Sequence, residues 1–334
     1  MKPNIDDVFN VSSTPQFEVL SLAIFGYQAQ NCKVYSLYLK GLGISPENIK
    51  KIEEIPFLPI EFFKTQEIKT DSVENNPIVF TSSGTTGAVQ SKHSVSDVSV
   101  YEKSYLKGFE LAYGKIEDYC ILALLPSYLE RNGSSLIYMV EDLIKKSNHA
   151  DSGFYLNNYD ELISKLNLLE ARGQKTILIG VTYALVDLSE QFPLWKRGQG
   201  DFANVTVMET GGMKGKRKEM VREELHSILC EGFGVNAIHS EYGMTELLSQ
   251  AYSKGNGMFD CPPWMKILIR DTNDPFSILP TNKTGGINVV DLANINSCSF
   301  IATQDLGKLH ANGSFEVLGR FDNSDIRGCN LLIE

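Results

Sequence analysis

The chain has 334 residues, 43% of them hydrophobic, six cysteines and a formal net charge of -10 at pH 7. That length and composition build a large buried core in one big domain or two unequal ones, and the acidic balance excludes a nucleic-acid backbone binder, whose affinity comes from clustered Lys and Arg. No basic-then-apolar leader opens the chain, and no apolar run reaches the ~18 residues of a membrane span, so a cytoplasmic location is expected.

In chain order, Val19, Leu20, Leu22, Ala23 and Phe25 fall at helical spacing and predict a helical N-terminal region from about residue 17 to the Gly41-Leu42-Gly43 stop. It is assigned, as residues 1–54, a structural role packed on the main body. A β-prone run, Ile78-Val79-Phe80, then empties into Thr81, Ser82, Ser83, Gly84, Thr85, Thr86 and Gly87. Glycines let a backbone approach an anion closely, and exposed N–H groups and hydroxyls supply donors without fixed charge, so the loop suits phosphate. It is not a Walker loop, because Ala88 and not Lys follows Gly87; a Ser/Thr/Gly-rich linker is the plain alternative.

Beyond it, short β-prone runs alternate with helical patterns: 119–125 then 134–146, 175–180 then 183–192, 205–208 then 216–231. Such alternation signals crossover units and a mostly parallel sheet covered by helices, giving an α/β nucleotide- and acyl-binding core over residues 55–260. Past Pro262 the pattern turns to strand-like runs at 264–270, 286–292, 297–303 and 315–318. This predicts a β-rich subdomain over 261–334, read as a small barrel.

The cysteines, Cys32, Cys120, Cys230, Cys261, Cys298 and Cys329, are widely spaced, with no Cys-x-x-Cys pair and no His at metal-ligand spacing. Reduced thiols are expected, not a zinc site or a disulfide framework. Cys120, Cys230 and Cys298 lie in apolar runs and are expected to pack as core residues. Cys329 sits in a polar, glycine-containing neighbourhood.

Two further clusters carry chemistry. In residues 237–246 an apolar strand leads into Tyr242, Gly243, Thr245 and Glu246. An aromatic face can stack on a purine, a hydroxyl can donate to phosphate and a carboxylate can hold magnesium; singly, Tyr242 is more often a packed ring and Glu246 a solvated or helix-capping acid, and it is their joint occurrence that points to a nucleotide. In residues 303–322, Asp305 at a strand end can accept ribose hydroxyls, and Arg320 can pair with a phosphate or ribose oxygen. The plain alternative is a turn Asp and a surface Arg.

In this order the clusters resemble the AMP-forming acyl-activating (adenylate-forming) ligases, which include acyl-CoA synthetases, luciferases and peptide-synthetase adenylation domains. The resemblance implies an α/β fold: a large N-terminal body of helix-covered, mostly parallel sheets with a β-rich C-terminal subdomain. It also implies a mobile C-terminal domain cut to a vestige, since ordinary members run on for about a hundred residues past the Gly-Arg hinge and this chain stops fourteen after Arg320. Carried over, it makes the loop of Thr81 to Gly87 the pyrophosphate grip and Gly211, Gly212 and Met213 a wall of the adenine pocket. Tyr242 with Gly243 would lie on adenine, Thr245 would touch the α-phosphate, Glu246 would hold Mg2+, and Asp305 and Arg320 would hold the ribose of ATP or AMP. A role for Lys92 is not implied, because residues 88–91 intervene where ordinary members place Pro-Lys; Ser91 and His93 fit the acyl-protein branch.

Within that superfamily the chain is most similar to the acyl-protein synthetase (LuxE) branch, on three stretches: Ile55-Pro56-Phe57-Leu58-Pro59-Ile60 running into Phe62-Phe63-Lys64, Leu125-Pro126-Ser127-Tyr128-Leu129-Glu130-Arg131 followed by Ser134-Ser135-Leu136, and Asp325-Ile326-Arg327-Gly328-Cys329. This similarity runs from about residue 55 to the end. It implies ATP-dependent activation of a carboxylic, in that branch fatty, acid as acyl-AMP and transfer to the thiol of Cys329, with hand-off to a partner reductase or acyltransferase. Arg327 can lower the thiol pKa and Gly328 can let the segment swing. The alternatives are an acyl- or aryl-CoA ligase that passes the acyl group to CoA or a carrier protein, and a nucleotide-binding scaffold without turnover.

Overall fold

A computed structural model describes residues 2–70, 78–82, 89–125, 133–156, 158–191, 202–211 and 220–321. Its elements run α1 (Ile5–Phe9), α2 (Thr14–Asn31), α3 (Lys33–Gly41), β1 (Leu58–Pro59), α4 (Phe62–Thr65), β2 (Ile78–Thr81), β3 (Lys92–Val95), α5 (Val98–Tyr113), β4 (Cys120–Leu124) and α6 (Ser135–Ser147). There follow β5 (Gly153–Phe154), α7 (Tyr159–Ala171), β6 (Thr176–Gly180), α8 (Thr182–Gln191), β7 (Val205–Glu209), α9 (Arg222–Phe233), β8 (His239–Tyr242), β9 (Ala251–Ser253), β10 (Met258–Asp260), β11 (Met265–Arg270), β12 (Thr284–Asp291), β13 (Phe300–Leu309) and β14 (Phe315–Arg320). The chain divides into two compact units, residues 78–93 with 97–262, and residues 1–77, 94–96 and 263–334.

In the first of these, the strand order is β10-β9-β8-β7-β6-β4-β5. The pairs β4–β5, β4–β6, β6–β7 and β7–β8 are parallel, and β8–β9 and β9–β10 are antiparallel. Every residue of β4 and β6 is buried, the mark of strands covered on both faces. The helices that close the crossovers start where local chemistry tells them to. Ser134 Oγ accepts the Ile137 N–H at the head of α6, Lys145 and Lys146 occupy its last turn, and Asn148 ends it at φ 49°. Asp97 caps α5 in the same way. Between α5 and α6, Tyr105 Oη donates to Asp142 Oδ2 and Tyr138 Oη to Glu102 Oε1, both at 2.6 Å.

The second unit combines the N-terminal helices with an antiparallel meander β11-β12-β13-β14. β11 and β14 do not pair, so the small barrel expected of the tail is replaced by an open sheet. One reason is visible in β13: its first residues, Ile301 and Ala302, pair with β1 in parallel, and only its second half pairs with β14. The helix expected across residues 17–42 is two helices, broken at Cys32 (φ -97°, ψ 104°), whose extended backbone forms a bridge with Thr70. The stop at Gly43 holds, at φ +70°. The core of this unit is aromatic, with Phe300 of β13 lying 6.0 Å from Phe25, 6.4 Å from Tyr35 and 6.1 Å from Phe57. No helix among the described residues is long and apolar enough to cross a membrane.

One buried polar side chain ties α2 to the turn before β13. Gln28 donates from Nε2 to the carbonyls of Asn294 (2.9 Å) and Ile295 (3.1 Å) and to Ser299 Oγ (3.1 Å), and its Oε1 accepts the Ser299 N–H at 2.9 Å. Gln28→Leu takes the side-chain donor from the Ile295 carbonyl and the acceptor from the Ser299 N–H in a dry environment, while the Asn294 carbonyl keeps the Ser297 N–H at 3.0 Å. We expect a loss of about 3 kcal/mol in urea unfolding, and a loss within experimental error would show that the turn is held by other contacts.

Candidate functional site

Parallel strands end on the same edge of a sheet, and in open α/β sheets ligands sit outside those carboxyl ends. Here the adjacent strands β6, β7 and β8 deliver Gly180, Thr210-Gly211 and Tyr242-Gly243 to one edge, with Thr210 N–H bonded to Gly180 O at 3.0 Å. Two of the expected site segments, at Gly211 and at 242–246, are therefore brought to the same edge.

The segment after β8 is anchored by a buried histidine. His93 Nδ1 lies 2.8 Å from the Thr245 carbonyl, and because a carbonyl only accepts, that nitrogen carries the proton. Burial pushes the His93 pKa down to about 4, partly offset by this bond, so the ring is neutral at pH 7. Tyr242 is buried, edge-on to Phe259 at 5.9 Å and 63°. Glu246 is 5% exposed, and the Leu247 N–H returns to the Met244 carbonyl at 3.0 Å, closing a turn around Thr245 and Glu246.

The loop expected to hold phosphate is fixed at its base. Ser82 N–H donates to the Ser91 carbonyl at 3.1 Å and the Ser91 N–H donates to Ser82 Oγ at 2.9 Å. Thr81 N–H donates to the Gly133 carbonyl at 2.7 Å. Gly133, at φ +92°, is strained for any side chain, and a Cβ there would stand a tight 3.1 Å from Thr81 Oγ1 and 3.2 Å from the Val79 carbonyl. Ser83, Gly84, Thr85, Thr86 and Gly87, like Gly212, Met213 and Cys329, lie outside the described residues. In the other unit Asp305 and Arg320 are cross-strand partners, with Arg320 Nε donating to Asp305 Oδ1 at 3.2 Å. Arg270 supports them, donating from Nη2 to the Thr303 carbonyl at 2.6 Å, while the Asp305 N–H is held by Thr303 Oγ1 at 3.1 Å.

The structure adds a residue that the sequence reading does not single out. Glu209 ends β7 and is buried; its Oε2 accepts the Gly211 N–H at 2.7 Å and Thr182 Oγ–H at 3.3 Å, and its Oε1 faces Arg222 Nη1 at 3.3 Å and His226 Nε2 at 3.9 Å. Burial alone would raise its pKa, but His226, Arg222, Ser240 and the Gly211 N–H outweigh it and leave the carboxyl below its usual range. The only sequence signal is an acid placed between a β-prone run and Thr210-Gly211-Gly212. Across the sheet Glu241 has the opposite fate: burial, with the charge of Glu209 adding, pushes its carboxyl up to about 8.

Of the cysteines, Cys32, Cys120 and Cys298 are buried, Cys230 and Cys261 are half-buried, and all five are free thiols. The core placement expected of Cys230 is thus only partial. Among the described residues no three His, Cys, Asp or Glu side chains gather as a metal cluster. A magnesium ion bound with nucleotide asks for less, since it takes one or two carboxylates and fills its shell with phosphate oxygens and water, and the single carboxylate of Glu246 fits that demand.

The family model for acyl-protein synthetase, LuxE, matches residues 10–334, so the likeness begins well before residue 55. No curated protein matches the chain. Among solved structures, an open conformation of 2-hydroxyisobutyryl-CoA ligase in complex with 2-HIB-AMP and CoA aligns at TM-score 0.66 and 11% identity, over 92% of this chain and 70% of that one. ATP-bound MatB from Rhodopseudomonas palustris aligns at TM-score 0.50 and 17% identity, over 72% and 47%. The ATP-bound RpMatB-BxBclM chimera B1 aligns at TM-score 0.51 and 18% identity, over 72% and 47%. At these identities the likeness establishes the fold, an α/β adenylate-forming-ligase body with a mostly parallel sheet and a β-rich C-terminal region. The chain spans about half the length of the MatB-type structures that it matches.

Glu209→Ala leaves Arg222 facing an empty, buried position and the Gly211 N–H unmet; we expect a loss of about 3–5 kcal/mol in urea unfolding, and a loss under ~1 kcal/mol would contradict the network. Glu241 yields a pH signature. Its folded pKa of about 8 lies above the ordinary 4.5, so the folded state holds the proton more tightly, a contribution present in full below pH 4.5 and lost as pH rises through about 8. Glu241→Gln is expected to melt with the wild type at about pH 4 and above it at about pH 8.5. A constant offset at both would show that the carboxyl does not titrate as inferred.

Proposed function

Because the chain belongs to the acyl-protein synthetase (LuxE) family, we propose that it joins a carboxylic acid to the AMP moiety of ATP and then passes the acyl group to a protein thiol. The observation that carries this reading is the pairing of a buried, neutral His93 with the Thr245 carbonyl, which holds Thr245 and Glu246 in a fixed turn at the carboxyl edge of the parallel sheet.

A carboxylate is a poor acyl donor because oxide is a poor leaving group; as a mixed anhydride with AMP its carbon becomes electrophilic. The acid's oxygen attacks the α-phosphorus and pyrophosphate departs. Charge accumulates on the α-phosphate, where the Thr245 hydroxyl donates, and on the departing pyrophosphate, where Thr81, Ser82, Ser83, Thr85, Thr86 and the backbone around Gly84 and Gly87 donate. Tyr242 covers the adenine, Gly211, Gly212 and Met213 wall it, and Asp305 and Arg320 take the ribose. Glu246 would hold Mg2+, which supplies positive charge to the phosphates.

In the second step the thiolate of Cys329 attacks the acyl carbon and expels AMP, leaving a thioester for a partner reductase or acyltransferase in the cytoplasm. The acid is fatty in this reading, in keeping with the family. The test is acid-dependent ATP–pyrophosphate exchange across a panel of chain lengths, with labelled acid to report the thioester. Glu246→Ala is expected to lower exchange by about 10²-fold. Cys329→Ser is expected to keep exchange and lose the hydroxylamine-labile label; a label that persists would remove Cys329 from the reaction.

A further inference from the structure

α2 carries one charged residue, Glu18, among its 18. Phe17, Ile24 and Phe25 are buried on its inner face, and the outer face, at the spacings of three, four and seven residues that align positions along one side of a helix, holds Pro15, Val19, Leu22, Ala23, Gly26 and Gln30. Val19 is 71% exposed; Pro15, Ala23 and Gln30 are exposed too, and Leu22 and Gly26 are half-buried. Glu18 lies about 100° around the helix from Val19 and so stands to the side of this face. A surface helix ordinarily backs its buried stripe with charge, and one without charge on either side is ordinarily covered. The outer face of α2 calls for a cover that the described residues do not supply.

The shape of that face says what covers it. Its centre is small, and a Cβ built on Gly26 would meet nothing within 4 Å. A helix that sinks into a lipid surface presents Trp, Phe or Leu beneath a face rich in Lys and Arg, which is not this pattern. Small residues instead let a second helix come close. The positions are also self-complementary. In an antiparallel pair whose two-fold axis passes between Leu22 and Ala23, position 19 of one helix lies across from position 26 of the other, 22 from 23, and 15 from 30. Val19 then fills the gap at Gly26 of the second copy and Leu22 packs on its Ala23, each contact made twice by symmetry.

Charge selects the same direction. Exposed Asp7 and Glu18 lie before and within the first turns of the helix, and exposed Lys33 and Lys40 lie beyond its end. Antiparallel helices set the acidic end of one copy beside the basic end of the other, whereas parallel helices would set like beside like. We propose that the outer face of α2 docks on the same face of a second copy of this chain, in an isologous antiparallel dimer. A contact made by one helix of 18 residues, about 27 Å long, is small, so the dimer is weak and reversible, with half-association at about 10–100 µM.

The experiment is analytical sedimentation of the full chain from about 1 µM to about 300 µM, in which a dimer that forms with rising concentration is expected. Val19→Glu and Gly26→Lys each put a charge into the apolar contact and are expected to weaken the dimer about tenfold or more. The double variant, whose carboxylate and ammonium meet across the two-fold axis, is expected to associate about as tightly as the wild type. Glu and Lys are better helix formers than the Val and Gly they replace, and both positions are open to solvent, so urea unfolding midpoints at low concentration are expected to stay at or above the wild type, which separates a lost contact from a lost fold. The proposal is overturned if the chain stays monomeric at about 300 µM, if neither single variant weakens the dimer, or if the double variant stays as weak as the singles. Binding of the chain to phosphatidylcholine vesicles that Val19→Glu abolishes, with no dimer in solution, would assign the face to lipid and overturn it as well.

Discussion

A carboxylate removed from water must be surrounded by donors, and the organisation of the sheet edge follows from how Glu209 meets that demand. It draws on the Gly211 backbone, on Thr182 at the head of α8, on Arg222 at the head of α9 and on Ser240 of β8. Each partner belongs to a different element, so satisfying one charge registers the turn after β7 against two helices and the neighbouring strand. Arg222 is fixed in turn by the face of Phe259, 5.2 Å away on β10, and by Ser240. The result is a rigid frame from which Gly211 and the segment after β8 project.

Glu241 shows the converse. It is one position further along the neighbouring strand, but strand alternation sends it to the face of α5 and β9, where phenols and apolar side chains replace guanidinium and backbone N–H groups. Desolvation is similar in kind at both sites, and what differs is the supply of donors; one acid is held charged and the other neutral. Paired acids with separated titrations are a usual sign of a site with a chemical task. Here the charged member serves the scaffold, and the neutral member is paired across the sheet with Tyr252.

Much of the architecture is legible in residue order. The apolar runs that become β4, β6 and β7 and the helical spacing of α6, α8 and α9 are strong signals because those elements are buried on two faces or one. No element is expected over 98–113, where α5 stands, since its buried face is carried largely by Tyr101 and Tyr105, whose hydroxyls blur the apolar spacing. The short strands β8, β9 and β10 hold too few residues for a period to show. Cys32 breaks a continuous helical pattern for a reason some forty residues away in sequence, its bridge to Thr70.

For the site, the proposal of nucleotide chemistry at 242–246 and at Asp305 and Arg320 comes from residue types, because hydroxyl, carboxylate and ring carry their capabilities with them. By itself the sequence determined the crossover order, the carboxyl-edge loops and the motifs upon them. Only the tertiary structure decided that His93 pins Thr245 and that Glu209 binds Gly211. Those pairings depend on strand register and on which groups share a desolvated volume, and neither is a property of neighbouring residues in a chain.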